Sequence, residues 1–192
     1  MYDDLHIVLV GDQGSMIGEH SLYDKGPYAY DELMRIPLLI RHPDAKPSVV
    51  NRQVSLIDVA PTLAEWMGLP NDGDVDGRSL SELVAQGDKA DVGRIDTALY
   101  AYEWYNGSWY GIRAIRTPDY KFVWYPGDRL DELYDLRNDP FEINNLIKDK
   151  QYAKPLQHLT HLLEQELLRI DDPALEVFRH HKISIDTQAY DF

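Results

Sequence analysis

The stretch IVLVGDQGSMIGEHSLYDK, residues 7–25, decides the fold class. It opens with the unbroken apolar run Ile7–Val10, which is typical of a buried parallel strand. Residues 12–25 show no helical periodicity and contain Gly14 and Gly18, so they predict a loop. Ligand-binding groups gather just beyond the carboxyl ends of such strands. The chain is therefore predicted to be an α/β protein with binding residues in this loop.

Three polar side chains of the loop are candidates for chemistry. Asp12 follows the strand directly and can hold a divalent metal, and Lys25 supplies a second positive charge. A metal and a lysine together suit the negatively charged oxygens of a sulfate or phosphate ester in its transition state. His20 can hydrogen-bond a leaving-group oxygen or brace the loop. Taken alone, Asp12 also fits an ordinary turn and Lys25 an ordinary surface lysine.

Three stretches resemble, in the same order, the sulfatase family of the alkaline phosphatase superfamily. VGDQGSMIGEHSLYDKGPYAYDELMRIPLLIRHP is similar to the family's strand, SDHG or SDNG turn, GEHG-like loop, lysine and RVPLI sequence. VSLIDVAPTLAEWMGLP followed by DGRSL matches next. AIRTPDYKFVWYPGDRLDELYDLRNDPFEINNL resembles the family's C-terminal signature. Together the three cover roughly residues 5–148, and they imply the end of an alkaline-phosphatase-like α/β sheet followed by a small antiparallel sheet.

The resemblance implies roles for five residues. Asp12 and Gln13 take the positions that bind a divalent metal, usually calcium, and Lys25 takes that of the lysine that contacts the sulfate oxygens. Gln13 departs from the family's Asn or His; its amide oxygen suits Ca²⁺, but it can instead donate to the substrate anion. Glu103 and Trp104 resemble in position the family's substrate-facing loop. The rings around them also fit a plain β-rich core.

The nucleophile of the family has no counterpart here. It derives from a Cys or Ser in a C/S-x-P/A-x-R motif that becomes formylglycine, and this sequence has neither a cysteine nor such a serine motif. Asp3 and Asp4 precede the strand and are read as loop acids. We therefore expect a C-terminal portion of a sulfatase, arising by truncation, a split gene or cloning. The isolated chain is predicted to be inactive and to bind Ca²⁺ only with further N-terminal ligands.

Two alternatives to a sulfatase stay open. One is a phosphoester or phosphonate monoester hydrolase of the same superfamily, and the other is a non-catalytic remnant that acts as a binding module. The expected partner of the complete enzyme is a sulfated small molecule or glycan. The Ile7–Val10 strand would have a bare edge in this chain, so self-association or mobility of residues 1–35 is expected as well.

Composition excludes several partners. The net charge of −14 and the isoelectric point near 4.7 argue against nucleic acid and against a polybasic membrane contact. No run of 18 apolar residues and no signal peptide occurs in the sequence. Zero cysteines exclude disulfides but leave the compartment open: periplasmic, secreted or cytoplasmic.

The resemblance and the periodicity together predict three parts: a C-terminal part of the sulfatase α/β domain (1–92), an antiparallel-sheet subdomain with a helix (93–172) and a tail (173–192). The tail is given no structure. Helices are predicted over 28–35, over 56–67 with Ser55 as cap and Gly68 as end, and over one or two turns at 79–85. Strands are predicted over 36–41, 97–104, 110–116 and 120–125. A last helix, carrying Leu156 to Ile170 at helical spacing, should lie on the sheet.

Overall fold

The chain forms two compact units, each built from two separate segments. The computed structural model describes residues 2–70, 75–91, 93, 96–127 and 131–187. The first unit comprises Met1–Gly14 and Arg35–Asp96, and the second comprises Ser15–Met34 and Thr97–Phe192. The predicted domain limits at residues 92 and 172 stay predictions, since the units are drawn by compactness and the loop of residues 15–34 groups with the C-terminal half.

Eight strands and five α-helices make up the described chain, with short 3-10 turns between some of them. The strands are β1 (Ile7–Val10), β2 (Met16–Ile17), β3 (Tyr23–Asp24), β4 (Leu38–Arg41), β5 (Ala98–Tyr105), β6 (Ser108–Arg116), β7 (Tyr120–Trp124) and β8 (Glu132–Asp135). The helices are α1 (Asp31–Met34), α2 (Val59–Trp66), α3 (Ser81–Gln86), α4 (Ala153–Arg169) and α5 (Leu175–Thr187).

The first unit contains a two-stranded sheet that corrects one expectation. β1 pairs with β4 in antiparallel register, with Leu9 opposite Leu39, whereas the apolar run was read as a parallel strand. The Gly11 N–H prolongs the pairing by donating to the Pro37 carbonyl at 3.2 Å. One face of the pair packs on a small core around Leu80 and Leu83. An apolar run indicates burial but not strand direction, which the partner decides.

The middle motif of the sequence folds around a buried aspartate. The Asp58 carboxylate accepts the backbone N–H groups of Ser55 at 2.9 Å and Arg78 at 2.8 Å, which fixes the start of α2 against the DGRSL turn. Thr62 continues the link, because its hydroxyl donates to the Asp58 carbonyl and accepts the Leu80 N–H. Gly77 is required there, since a Cβ atom would clash with the Ile57 carbonyl.

The second unit is a four-stranded antiparallel sheet in the order β5-β6-β7-β8. The alternation predicted for β7 is confirmed: Phe122 and Trp124 face one apolar cluster and Val123 faces another. The first cluster lies under α4, as its helical spacing predicts, and also under α5, whose Phe178 meets Trp124 edge to face at 5.0 Å. The mixed architecture, with an antiparallel sheet and a packed C-terminal helix, agrees with the predicted fold class.

Four elements of the second unit were not predicted: β2 and β3, which lie in the segment predicted to be a loop, and β8 and α5. Residues 175–187, taken as part of a tail, form α5, and Phe178 in its first turn is fully buried. Burial of a phenylalanine contributes roughly 1.5–3 kcal/mol, which is enough to dock a helix with weak amphipathic character. The DELYDL motif contains strand β8, which pairs with β7 through Leu133 opposite Phe122. Residues 188–192 of the predicted tail lie outside the described residues.

Candidate functional site

The turn after β1 carries the two residues predicted to bind metal. Asp12 and Gln13 are both exposed, and the Asp12 Oδ1 atom accepts the Gln13 N–H at 2.9 Å. This bond joins the side chain of Asp12 to the backbone of the next residue. Both residues belong to the first unit.

The donor set suits calcium in kind and falls short in number. Carboxylate and amide oxygens are what Ca²⁺ binds, but it takes six to eight of them. Within the described parts of the chain, no three His, Asp or Glu side chains come together in a way that could hold a metal ion. Asp12 and Gln13 would therefore supply part of a site, and metal binding through them stays a prediction.

The predicted Lys25 and His20 lie on an irregular segment of the second unit. The segment contains the short antiparallel pair β2 and β3, joined by a 3-10 turn over Glu19–Ser21. His20 stacks on Tyr30 with ring centroids 3.8 Å apart and planes 9° from parallel. Lys25 is exposed and is followed at once by the buried Gly26. The stacking on Tyr30 is compatible with a bracing role for His20, and both its bracing role and its catalytic role stay predictions.

Four charged side chains meet in a buried cluster that we call the Asp31 network: Asp31, Arg116, Lys121 and Glu142. The Asp31 carboxylate accepts Arg116 Nη2 at 2.9 Å and Lys121 Nζ at 2.8 Å. Glu142 also pairs with Lys121, and its Oε2 atom accepts the Asp31 N–H at 2.7 Å. Lys121 has no exposed surface and Glu142 is 2% exposed. The IRT, YK and D-P-x-E motifs of the sequence thus converge on one aspartate.

The two carboxyl groups of the network differ in acidity. Burial raises the pKa of Asp31, but the hydrogen bonds and charges of Arg116 and Lys121 outweigh it and bring the pKa to about 2. Burial raises the pKa of Glu142 to about 7, against the opposing charge of Lys121. One ammonium group is therefore shared by a carboxylate that stays ionised and a carboxyl that titrates near neutrality.

The β5–β6 hairpin carries Glu103 and Trp104, the two residues predicted to face substrate. Glu103 sits at a register shift in β5, where a bulge can redirect a side chain. Its carboxylate accepts the indole N–H of Trp109 and pairs with Arg113. Trp104 lies opposite Trp109 across the two strands, and the rings are 66% and 51% exposed. We call these two residues the tryptophan pair.

The ion pair with the buried Arg113 fixes the position of the Glu103 carboxylate. Arg113 is 2% exposed and binds both oxygens of Asp172, with Nε–Oδ2 at 2.8 Å and Nη2–Oδ1 at 3.0 Å. Asp172 in turn accepts the Ala174 N–H at 2.8 Å, just before α5 begins. The Glu103 carboxylate thus stands at the exposed end of a chain of buried charges. Gly111 leaves space for the Trp109 ring, because a Cβ atom there would clash with it.

Sequence reasoning missed Trp109, Arg113, Asp172 and the Asp31 network as partners of the candidate site. One signal was available: Arg113 interrupts an apolar strand between Ile112 and Ala114, and Lys121 interrupts one between Tyr120 and Phe122. A cavity of about 300 Å³ in the first unit, bordered by His42 and Trp66, was not anticipated either. None of the predicted site residues lines it.

Comparison with known proteins identifies the family. Residues 18–169 match the family model described as N-sulphoglucosamine sulphohydrolase, C-terminal. The N-acetylglucosamine-6-O-sulfatase of Bacteroides thetaiotaomicron is 35% identical over 179 residues, which cover 89% of this chain and 32% of the relative. The chain belongs to the sulfatase family. The sulfatase YidJ of Escherichia coli is 31% identical over 93% of this chain and 34% of its own length.

Solved structures of the superfamily share the sulfatase fold seen here. BT4656, in complex with its substrate D-glucosamine-2-N,6-O-disulfate, superposes with a TM-score of 0.76 at 33% identity, over 88% of this chain and 35% of that one. A phosphonate monoester hydrolase from Silicibacter pomeroyi superposes with a TM-score of 0.75 at 26% identity, over 91% and 37%. The chain therefore spans about a third of the length of these relatives, and matches their C-terminal portion.

The predicted sulfatase resemblance is thus confirmed. The assignments of Asp12, Gln13, His20, Lys25, Glu103 and Trp104 stay predictions. Among the described helices, none is long and apolar enough to cross a membrane.

Proposed function

We propose that this chain is the C-terminal portion of a sulfuric ester hydrolase that acts on a sulfated amino sugar. The observation that carries the proposal is the 35% identity, over 89% of the chain, to an N-acetylglucosamine-6-O-sulfatase. The complex of BT4656 with D-glucosamine-2-N,6-O-disulfate supports the same class of substrate.

On the sulfate side, Lys25 is the residue we assign to the ester. Its ammonium group would donate to the sulfate oxygens, whose negative charge must be balanced in the transition state. Asp12, with Gln13, would hold calcium together with ligands from the rest of the enzyme. When bound, the metal supplies Lewis-acid polarisation of the sulfate group. The formylglycine nucleophile is not encoded in this sequence.

On the sugar side, the tryptophan pair and Glu103 form the proposed contact. The exposed faces of Trp104 and Trp109 offer apolar area to the C–H face of a sugar ring. Glu103 keeps acceptor capacity beyond the bonds it receives from Trp109 and Arg113, since a carboxylate has about four lone-pair sites. That capacity suits the hydroxyl or amino group of a glucosamine ring.

A phosphonate or phosphate monoester hydrolase is the second candidate. Two observations favour it: the superposition on the Silicibacter enzyme, and 32% identity over 79% of the chain to the multifunctional alkaline phosphatase superfamily protein PehA of Trinickia caryophylli. A lysine and a metal serve either tetrahedral anion, so these groups do not separate the two reactions. The sugar contact does, because a phosphonate monoester has no need of it.

A chimeric enzyme tests the reaction class. The C-terminal portion of the Bacteroides N-acetylglucosamine-6-O-sulfatase is replaced by this chain, and hydrolysis of N-acetylglucosamine 6-sulfate is compared with that of a phenyl phosphonate ester. We expect the sulfate ester to be the better substrate. Preference for the phosphonate ester would favour the second candidate. The unmodified Bacteroides enzyme is the control.

Binding to the isolated chain tests the sugar contact separately. Tryptophan fluorescence is followed while glucosamine 6-sulfate is added to the chain and to the variants Trp104→Phe and Trp66→Phe. A ligand-dependent signal that is reduced in Trp104→Phe and unchanged in Trp66→Phe is the expected result. A signal that disappears in Trp66→Phe instead would place binding in the first unit and contradict the sugar contact.

A further inference from the structure

The segment of residues 18–30, which carries His20 and Lys25, has little regular secondary structure to stabilise its conformation. Within it, the structure has only a 3-10 turn and the two-residue strand β3, which pairs with β2 just before the segment. Three of its non-glycine residues, His20, Ser21 and Asp24, have φ angles of 51°, 59° and 67°. L-residues disfavour this left-handed region, so local preferences alone would send the segment elsewhere. Contacts from the rest of the second unit must select this conformation.

The Asp31 network provides the strongest of those contacts. Lys121 donates from Nζ to the Ala29 carbonyl at 2.7 Å as well as to the Asp31 carboxylate. Glu142 accepts the Asp31 N–H. The Ala29 carbonyl and the N–H of Asp31, the residue directly after the segment, are therefore bonded to charged side chains that are themselves buried. Such charge-assisted bonds are directional, so they define position as well as proximity.

Aromatic contacts complete the attachment. His20 stacks on Tyr30, and the Tyr100 hydroxyl of β5 donates to the Tyr28 carbonyl at 3.3 Å. Ala29 is 1% exposed and packs in the cluster that contains Ile112 and Val123. The segment is thus fixed at its C-terminal end to β5, β6 and β7, and at His20 to its own Tyr30.

A lysine is a poor choice for stability at this place. A buried ion pair recovers its desolvation cost only with good geometry, and apolar residues of similar size often do as well or better. The full burial of Lys121 therefore calls for another explanation than stability. Its Nζ atom joins three partners from two distant parts of the sequence, which an apolar side chain cannot do.

We propose that Lys121 and Glu142 are positioning residues that fix the segment of residues 18–30 on the sheet and so hold Lys25 in place. The cationic IRT and YK motif residues thus serve the proposed sulfate site indirectly, through backbone attachment. The consequence for turnover rests on the proposed function, whereas the attachment itself does not.

Amide hydrogen exchange of the full 192-residue chain tests the attachment. It is read on peptides from residues 16–30 and on peptides from β6. We expect Lys121→Met to lower protection of residues 16–30 by about tenfold or more, with β6 changed by no more than about twofold. The double variant Lys121→Met/Glu142→Gln, which leaves no unpaired buried charge, should show the same local loss if Lys121→Met alone folds poorly.

Two controls separate placement from general loss of stability. Lys154→Met, on the exposed face of α4, should leave all protection unchanged. Leu163→Ala removes buried apolar contacts under the opposite face of the sheet, so it should lower global stability and spare the local protection of residues 16–30. Equal local losses in Lys121→Met and Leu163→Ala would overturn the proposal, as would unchanged protection in both Lys121 variants.

A double-mutant cycle in the chimeric sulfatase tests the link to Lys25. Because Lys121 acts through Lys25, the double variant Lys25→Ala/Lys121→Met should have nearly the same kcat as Lys25→Ala alone. If the fold loss in kcat of the double variant equals the product of the losses in the two single variants, the link is overturned. If the chimera shows no sulfatase activity, the proposed function fails while hydrogen exchange still decides the placement.

Discussion

At the residue scale, surroundings decide what an ion pair contributes. Arg113 and Arg137 both pair with an aspartate, but Arg113 and its partner Asp172 are 2% and 5% exposed, whereas Arg137 and Asp119 are 57% and 47% exposed. Water screens the second pair and leaves it little net energy. The first pair has no water to replace a lost partner.

Removal of each arginine should therefore have very different effects. Arg113→Leu leaves the Asp172 carboxylate buried without its charge partner, and we expect a loss of roughly 3–5 kcal/mol in the free energy of unfolding. Arg137→Leu, the matched control, should cost no more than about 1 kcal/mol. Urea denaturation of both variants measures the difference. Similar losses in the two would contradict the burial argument.

Glu142 gives the second unit a pH dependence. Its pKa in the folded chain, about 7, lies above the ordinary value of 4.5, so the folded state holds the proton more tightly than the unfolded state does. Its contribution to stability is complete below about pH 4.5 and is lost as the pH rises through 7. Asp31 acts in the opposite sense, and only in acid, since its pKa is lowered to about 2.

The variant Glu142→Gln should lack this titration. We expect the stability difference between the unmodified chain and Glu142→Gln to shrink from pH 5 to pH 8, because only the unmodified chain loses the contribution of the protonated carboxyl. Urea denaturation at both pH values, with Glu82→Gln as a surface control, measures this. A difference that is constant or grows with pH would show that Glu142 is ionised throughout.

Lys25 is the residue whose assignment matters most for catalysis. In the chimeric sulfatase, Lys25→Ala should lower kcat by about 10²–10³-fold, by analogy with the loss of one oxyanion-hole donor. Its effect on unfolding should stay within about ±0.5 kcal/mol, since Lys25 is exposed. The exposed Lys46→Ala is the matched control for both measurements. An unchanged kcat would show that Lys25 is an ordinary surface lysine with no part in catalysis.

At the element scale, the sheet of β1 and β4 exposes apolar side chains on one face within the part of the chain that the structure describes. Leu9 and Leu39 are cross-strand partners, and they are 62% and 59% exposed. Ile40, on the other face, packs on the cluster around Leu80 and Leu83. Adjacent exposed apolar side chains on a short sheet favour association with a second apolar surface.

We therefore predict that the chain self-associates through Leu9 and Leu39. The double variant Leu9→Glu/Leu39→Lys keeps a compatible cross-strand pair and should shift the chain to monomer, as measured by sedimentation at increasing concentration. Val49→Glu, at an isolated exposed position, should leave the association unchanged. If the unmodified chain is monomeric at every protein concentration measured, the prediction is contradicted.

Element prediction succeeded where local patterns report burial directly. Leu156, Leu159 and Leu163 recur at helical spacing, and α4 lies on the sheet as expected. It failed for α5, where Leu175 and Phe178 are buried against the sheet, because two apolar residues among charged ones are too weak a sequence pattern to predict a docked helix. It also failed for the direction of β1, since a parallel and an antiparallel partner bury the same side chains.

At the scale of the whole molecule, this sequence supplies only part of the chemistry that its family performs. It encodes no cysteine and no serine in an S-x-P/A-x-R motif, and it offers Asp12 and Gln13 as candidate calcium ligands. Ca²⁺ needs six to eight oxygens, and ester cleavage needs a nucleophile. We propose that the C-terminal portion contributes fold, a sulfate contact and a sugar contact to the enzyme.

The purified 192-residue chain should accordingly show no hydrolysis of an aryl sulfate, with or without added Ca²⁺. Release of 4-nitrophenol from its sulfate ester is a sensitive measurement, and the Bacteroides N-acetylglucosamine-6-O-sulfatase is a reference for assay conditions. Turnover that purifies with the chain and is lost in Lys25→Ala would contradict the assignment of the nucleophile to another part of the enzyme.

The sequence by itself determined the family, the mixed fold class, strands β5, β6 and β7 of the second unit and helix α4. Each of these depends on residues close together in the chain, whose spacing reflects which side is buried. It also determined the candidate positions Asp12 and Lys25, through motifs that stand in a fixed order.

Only the tertiary structure decided what the charged motif residues do. Lys121 and Asp31 are 90 residues apart, and Arg113 and Asp172 are 59 apart, so no local pattern relates them. A lysine or arginine in a strand has the same local signature whether it reaches solvent or a buried carboxylate. The difference depends on which distant segment covers it, because a buried charge is stable only where the fold brings a partner of opposite charge within hydrogen-bond distance.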